Sequence, residues 1–139
     1  MATHPFVTPA ELEHEDFPWC HVEKMCTPEI TGAKELILVR ATFPPGEQHN
    51  FHRHPHREEI IYILSGEAEQ YVGGEKKRLK AGEMALIPAN VAHMTRNPGP
   101  EPLLFLAILS PSDAPGEFTV NCFNEEPWKS ICPPIDYGQ

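Results

Sequence analysis

Four side chains of this sequence have the types and spacing to hold a transition-metal ion: His52, His54, Glu59 and His93. The first three fall in or beside the run His52-Arg53-His54-Pro55-His56-Arg57-Glu58-Glu59. Residues two apart on a strand point to the same face, so His52 and His54 would aim two imidazoles at one point. Glu59, across a turn marked by Pro55, can complete that corner. On the strand after this turn Glu59 shares a face with Ile61 and Ile63. A carboxylate among apolar neighbours is costly unless a positive charge offsets it, and a metal ion does so. His93 would bring the third imidazole from a later strand. Three imidazoles and a carboxylate suit a divalent ion such as Mn, Fe, Ni, Cu, Co or Zn. An octahedral ion so held keeps about two positions for water, substrate or dioxygen, which favours chemistry over a closed structural role.

The elements that must position these groups are short. Sixteen prolines and nine glycines divide the 139 residues, and no piece repeats another. A short helix is expected near Pro9 to Glu15, capped by Thr8. Strands are expected at Trp19 to Met25, Glu35 to Phe43, Glu59 to Ser65 and Glu67 to Val72. Ser65-Gly66 reads as a hairpin turn, and so does Gly73-Gly74. Lys76 to Leu79, Met84 to Ile87, Ala92 to Asn97 and Leu103 to Leu109 follow. Many short strands with regular turn signals indicate an antiparallel sandwich or barrel. From Ser110 the chain is proline-rich and irregular, with one further strand expected at Phe118 to Phe123. Its Phe118, Phe123, Trp128, Ile131 and Tyr137 make it too apolar for a solvated linker. It should pack on the barrel, on a partner subunit or over a cavity mouth.

The spacing carries a resemblance. Gly46, His52, His54, Glu59 and Gly66 form one group; Gly82, Pro88, Asn90, His93 and Asn97 form a second. Together they closely resemble the two signature motifs of the cupin superfamily. Asn90 stands where that family usually has a glycine, and asparagine tolerates a left-handed backbone better than most residues. The resemblance implies an all-β fold, a cupin-type jelly-roll β-barrel in one domain. Its core would run over about residues 19–109, with an N-terminal arm and a C-terminal extension over 110–139. It also implies metal bound inside by His52, His54, Glu59 and His93, with Fe or Mn favoured. Glu59 and His93 are the residues on which turnover would depend. Two function classes stay open. One is a metal-dependent enzyme acting on a small organic molecule, of oxidoreductase or dioxygenase type, with isomerase, lyase or decarboxylase chemistry as the alternative. The other is a ligand-binding or sensory module without catalysis. A homodimer is implied, with an apolar strand such as Leu103 to Leu109, or the N-terminal arm, at the contact.

Composition narrows the partners. Acidic residues outnumber basic ones 20 to 11, for a net charge of -9. That argues against nucleic acid, whose phosphates need a basic surface. Lys76, Lys77, Arg78 and Lys80 are read as a solvated hairpin. No apolar run approaches membrane-spanning length. Met1 to Pro5 lacks the features of a secretory signal, so a cytoplasmic location is expected. Cys20, Cys26, Cys122 and Cys132 form no C-x-x-C pair and are read as free thiols. Several residues stay open between two roles. His49 and His56 are either solvent-facing or outer donors at the rim of the site. Arg40 and Gln70 are either substrate anchors or exposed. Arg96 and Glu58 should face outward, and Met84 and Met94 should be core.

Overall fold

A computed structural model describes residues 3–139. The strands are β1 (Glu13–Phe17), β2 (Cys20–Cys26), β3 (Ile37–Phe43), β4 (Gln48–Arg53), β5 (Glu58–Ser65), β6 (Glu67–Val72), β7 (Glu75–Lys80), β8 (Met84–Ile87), β9 (His93–Arg96), β10 (Leu103–Ser110) and β11 (Val120–Asn121). Two single-turn helices, α1 (Pro28–Thr31) and α2 (Trp128–Ile131), complete the chain. One sheet has the order β1-β2-β3-β10-β5-β8, and the other β11-β4-β9-β6-β7. Every strand pairing among the described residues is antiparallel. Two such sheets packed face to face are a jelly roll, which leaves space for a ligand between them.

Strand alternation decides what enters that space. β10 alternates strictly, with Leu103, Phe105, Ala107 and Leu109 buried. β5 does likewise, burying Glu59, Ile61 and Ile63 while Tyr62 and Leu64 stay exposed. The two strands pair so that Ala107 lies opposite Ile61 and Leu109 opposite Glu59. Phe43, Ile63, Leu79, Ile87, Leu103 and Phe105 belong to the core between the sheets. A second cluster lies on the far side of the second sheet. There Phe51, Tyr71 and Met94 pack against Cys122, Cys132, Phe123 and Trp128 of the C-terminal extension.

Several expectations are corrected here. Pro9 to Glu11 form only a turn, and Glu13–Phe17 is a strand, not the end of a helix. The reason is pairing: Glu13 to Phe17 run antiparallel to Cys20 to Lys24. Residues of modest helix propensity yield to such a partner. α1 was not foreseen; Thr27 caps it by accepting from Ile30 N at 3.2 Å. Ser65-Gly66 is not a hairpin turn, since β5 and β6 belong to different sheets. The chain crosses between the sheets at Gly66, where φ is +77 and a Cβ would lie 2.4 Å from Pro102 O. Only glycine fits both demands. Gly73-Gly74 does close the β6–β7 hairpin, with Val72 opposite Glu75. The strand expected at Phe118 to Phe123 contracts to Val120–Asn121. Met84 is exposed at the sheet edge, not core, whereas Met94 is fully buried. All four cysteines are free thiols.

Two motif residues build turns. Asn90 has φ +64, the left-handed backbone that its place in the motif requires. Asn97 donates to Phe43 O (2.8 Å) and Glu101 O (2.9 Å) and accepts from Gly99 N at 2.8 Å. It ties the end of β3, the end of β9 and the approach to β10.

Candidate metal centre

β4 and β9 are neighbours, and their register sets His52 opposite His93. His54 lies one residue past β4, and Glu59 enters from β5 in the other sheet. All four side chains are buried. His52, His54 and His93 each offer a nitrogen within 4.8 Å of the others. Their outer nitrogens are already committed. His52 Nδ1 donates to Asn50 O (2.8 Å), His54 Nδ1 to Phe118 O (2.8 Å) and His93 Nδ1 to Val91 O (3.0 Å). A carbonyl can only accept, so each Nδ1 carries the proton and each Nε2 presents a lone pair inward.

Glu59 Oε1 lies 3.0 Å from His93 Nε2 and 3.3 Å from His54 Nε2. Glu59 Oε1 and His93 Nε2 are both buried with no hydrogen-bond partner. With Nδ1 protonated these two atoms face each other as acceptors. Only a cation or an added proton between them satisfies both. The donor set therefore fits a divalent metal. In acid the added proton takes that place. Burial alone would raise the Glu59 carboxyl, but the imidazoles of His54 and His93, which donate to it only when Nε2 also carries a proton, pull it down to about 2.

His49, which the sequence leaves open between solvent and the rim of the site, is inside. Its ring stacks on His52 at 3.6 Å between centroids and on Trp19 at 4.8 Å. Burial, with the charge of His93, presses its pKa down to about 3, so the ring stays neutral. Burial also holds His52 well below its ordinary value. His56 and Glu58 are exposed. Gln70 is buried and accepts from Thr95 Oγ1 at 2.6 Å. Arg40 lies on the outer face, paired with Glu23 at 2.7 Å. Arg96 donates to Gln48 Oε1 at 3.2 Å. Met94 lies on the side of the second sheet away from the ligands.

Two parts of the site had no signal in the sequence reading. Arg57 is buried, donates to Pro111 O and Ser112 O, and covers the Phe118 ring at 4.2 Å. It fastens the start of the extension beside the site, and the extension in turn supplies the Phe118 carbonyl to His54. Arg57 sits within the histidine run, yet nothing in that run shows which backbone it would meet.

The sequence profile of the cupin domain matches residues 39–109, which contain all four of these side chains. The chain belongs to the cupin family. Among curated cupin relatives, the oxalate-binding protein of Thermotoga maritima is 33% identical over 81 residues, 58% of this chain and 67% of that one. The polyketide synthase CurC of Streptomyces cyaneus is 34% identical over 87 residues, 63% of this chain. The chain spans 56% of the length of CurC and of SchB from Streptomyces halstedii. Among solved cupin structures, one described as a "predicted oxalate decarboxylase" from Thermotoga maritima superposes with a TM-score of 0.67 at 26% identity, covering 76% of this chain and 97% of that one. The Bacillus subtilis oxalate decarboxylase studied for its Mn(II) centres gives 0.69 at 26% identity, covering 81% of this chain and 30% of that one. Among the described residues of this cupin no helix is long and apolar enough to cross a membrane.

Proposed function

We propose that this cupin is a metal-dependent enzyme of oxidoreductase or dioxygenase type, acting on a small organic molecule held between the sheets. One observation carries the reading: two facing acceptors, Glu59 Oε1 and His93 Nε2, are buried without partners beside two further imidazoles. They line one side of a cavity of about 1050 Å³. His52, His54, Glu59 and His93 hold the ion from that side and leave the cavity side to substrate. Fe or Mn suits the donor set, and the Mn(II) centres named for the Bacillus relative support Mn. Such an ion supplies Lewis acidity and, where redox-active, chemistry with dioxygen. The hydrogen bonds at each Nδ1 keep the three imidazoles in one tautomer and orientation. A second reading, binding of a ligand without turnover, is favoured by the relative named as an oxalate-binding protein.

The test is elemental analysis of protein purified without tag or chelator, followed by anaerobic and aerobic spectra. Near-stoichiometric iron or manganese is expected. Zinc or nickel instead would redirect the reading to Lewis-acid chemistry of isomerase or lyase type. No metal, and none taken up on addition, would overturn it.

We also propose that the protein pairs with a second copy through the outer face of the first sheet. Register places Leu86, Ile60, Ile108 and Leu38 in one row across that face, and Met84, Tyr62 and Leu106 in the next. Tyr62, Met84 and Leu86 are 38%, 45% and 49% exposed. The charges beside these rows, Arg40 and Glu23, already neutralise each other. An uncharged apolar face suits a symmetric contact between acidic chains better than a charged partner. Sedimentation should give a dimer, and Leu106→Glu should give a monomer that keeps the fold. A monomeric unaltered protein at micromolar concentration would refute the pairing.

A further inference from the structure

Resting on the metal reading above, we propose that the cavity is built for a molecule with a ring-sized apolar body and one oxygen-bearing edge, and selects against small dianions. The argument begins with the register of the first sheet. Glu59 lies in an inward row with Leu109 and Ile37. The next inward row holds Ile61, Ala107 and Val39, and the one after it Phe105 and Ala41. Every one of these neighbours of the carboxylate is apolar. The two alanines sit between larger side chains, so the floor is hollow there, and the cavity reaches about 1050 Å³. That is near the upper end for drug-sized sites, of roughly 300–1,000 Å³, and far more than a two-carbon diacid fills. Phe17 and Trp19, stacked at 5.2 Å, add aromatic surface to the same cavity.

The charges lining the cavity agree. Among the described lining residues the lysines are Lys24 and Lys34, and no arginine lines it. Lys24 is taken by Glu15 at 2.8 Å, and Lys34 is exposed at the margin. Glu15, Glu29 and Asp113 line the same margin. A dianion would enter past these carboxylates, in a chain of net charge -9, and find no free cation inside except the ion. The neutral polar groups are mostly engaged: Thr95 donates to Gln70 and Ser112 to Ala33 O. The His49 ring makes no hydrogen bond among the described residues and lies against His52. It lines the cavity and is the hydrogen-bonding group available to an oxygen held at the ligand cluster. The cavity thus offers one polar corner and a broad apolar wall, although relatives bear names that refer to oxalate.

The experiment compares probes that share a metal-binding head. Protein loaded with Mn(II) or Co(II), its metal content measured, is titrated calorimetrically with benzohydroxamate, acetohydroxamate and oxalate. The two hydroxamates differ only in phenyl against methyl. Benzohydroxamate should bind at least about tenfold tighter than acetohydroxamate, as burial of a ring predicts, and oxalate no tighter than acetohydroxamate. Ala41→Leu, which fills the floor two inward rows and two strands from Glu59, should weaken benzohydroxamate about tenfold and leave acetohydroxamate and metal content unchanged. Equal binding of the two hydroxamates, or tighter binding of oxalate, to loaded unaltered protein overturns this inference and leaves the metal reading standing. A protein that takes up no metal overturns both. The ranking in the unaltered protein decides the matter if the leucine variant does not fold.

Discussion

Glu59→Gln is expected to stabilise the metal-free protein at pH 8 while weakening its hold on a metal ion. The opposite signs follow from one contact. With His93 Nδ1 donating to Val91 O, Glu59 Oε1 and His93 Nε2 are acceptors 3.0 Å apart, both buried and without partners. An amide nitrogen in place of one oxygen donates to that lone pair. A net hydrogen bond contributes about 1 kcal/mol, or roughly 3 °C in melting temperature for a chain of this size. With metal present the carboxylate charge is lost, and affinity should fall by roughly 10–100-fold. Thermal melts with and without added Mn(II) check both halves. A variant that melts lower in both states would show that the carboxylate is satisfied without an ion.

The same variant has a pH signature. His49 is held at about 3, below its ordinary 6.5. The unfolded chain therefore takes up a proton before the folded one, and stability falls as pH drops from about 6.5 to 3. Glu59 is held at about 2, below its ordinary 4.5. Its contribution is present above 4.5 and is lost as pH falls towards 2. The glutamine variant should keep the His49 loss between 6.5 and 3 and lack the further Glu59 loss below 4.5. Melting temperatures of metal-free protein across this range give the comparison.

Removing the chain from Ser110 onward should abolish soluble, metal-competent protein. The extension covers Phe51, Tyr71 and Met94, all buried on the far side of the second sheet. Re-exposing such side chains costs about 1.5–3 kcal/mol each, a large share of the stability of a small domain. Tyr137 leaves as well, with its hydrogen bonds to Gln48 N and Glu47. The cut also removes β11 from the edge of β4. His54 then loses the acceptor that fixes its tautomer. The soluble fraction and metal content of the truncated protein are the measurements. A monodisperse truncated protein with full metal occupancy would show that the extension supports neither the fold nor the site.

The ligand cluster was legible because it depends on regularities that spacing encodes. Alternation along β5 places Glu59 inward beside Ile61 and Ile63, and an asparagine can hold the left-handed turn at Asn90. His49 was ambiguous because alternation fails on β4. The register shifts between His49 and His52, so Asn50 and Phe51 both turn towards the extension. Strict alternation would set His49 on the face opposite His52, whereas the bulge returns it to the same side. The Phe118 contact had no signal because a backbone carbonyl is the same in every residue. The β5–β6 link misled because Ser-Gly suits a hairpin as well as a crossing, and only the approach of Pro102 decides between them.

The bond from His54 to Phe118 O joins the middle of the chain to a residue 64 positions later. During synthesis the strands that carry His52, Glu59 and His93 leave the ribosome before residue 118 does. At that stage Asn50 and Val91 can already orient two of the imidazoles, while the third is free to turn. The order of translation therefore places completion of the coordinating set after the barrel strands. A nascent chain that meets an ion early meets it with a looser grip than the finished protein has.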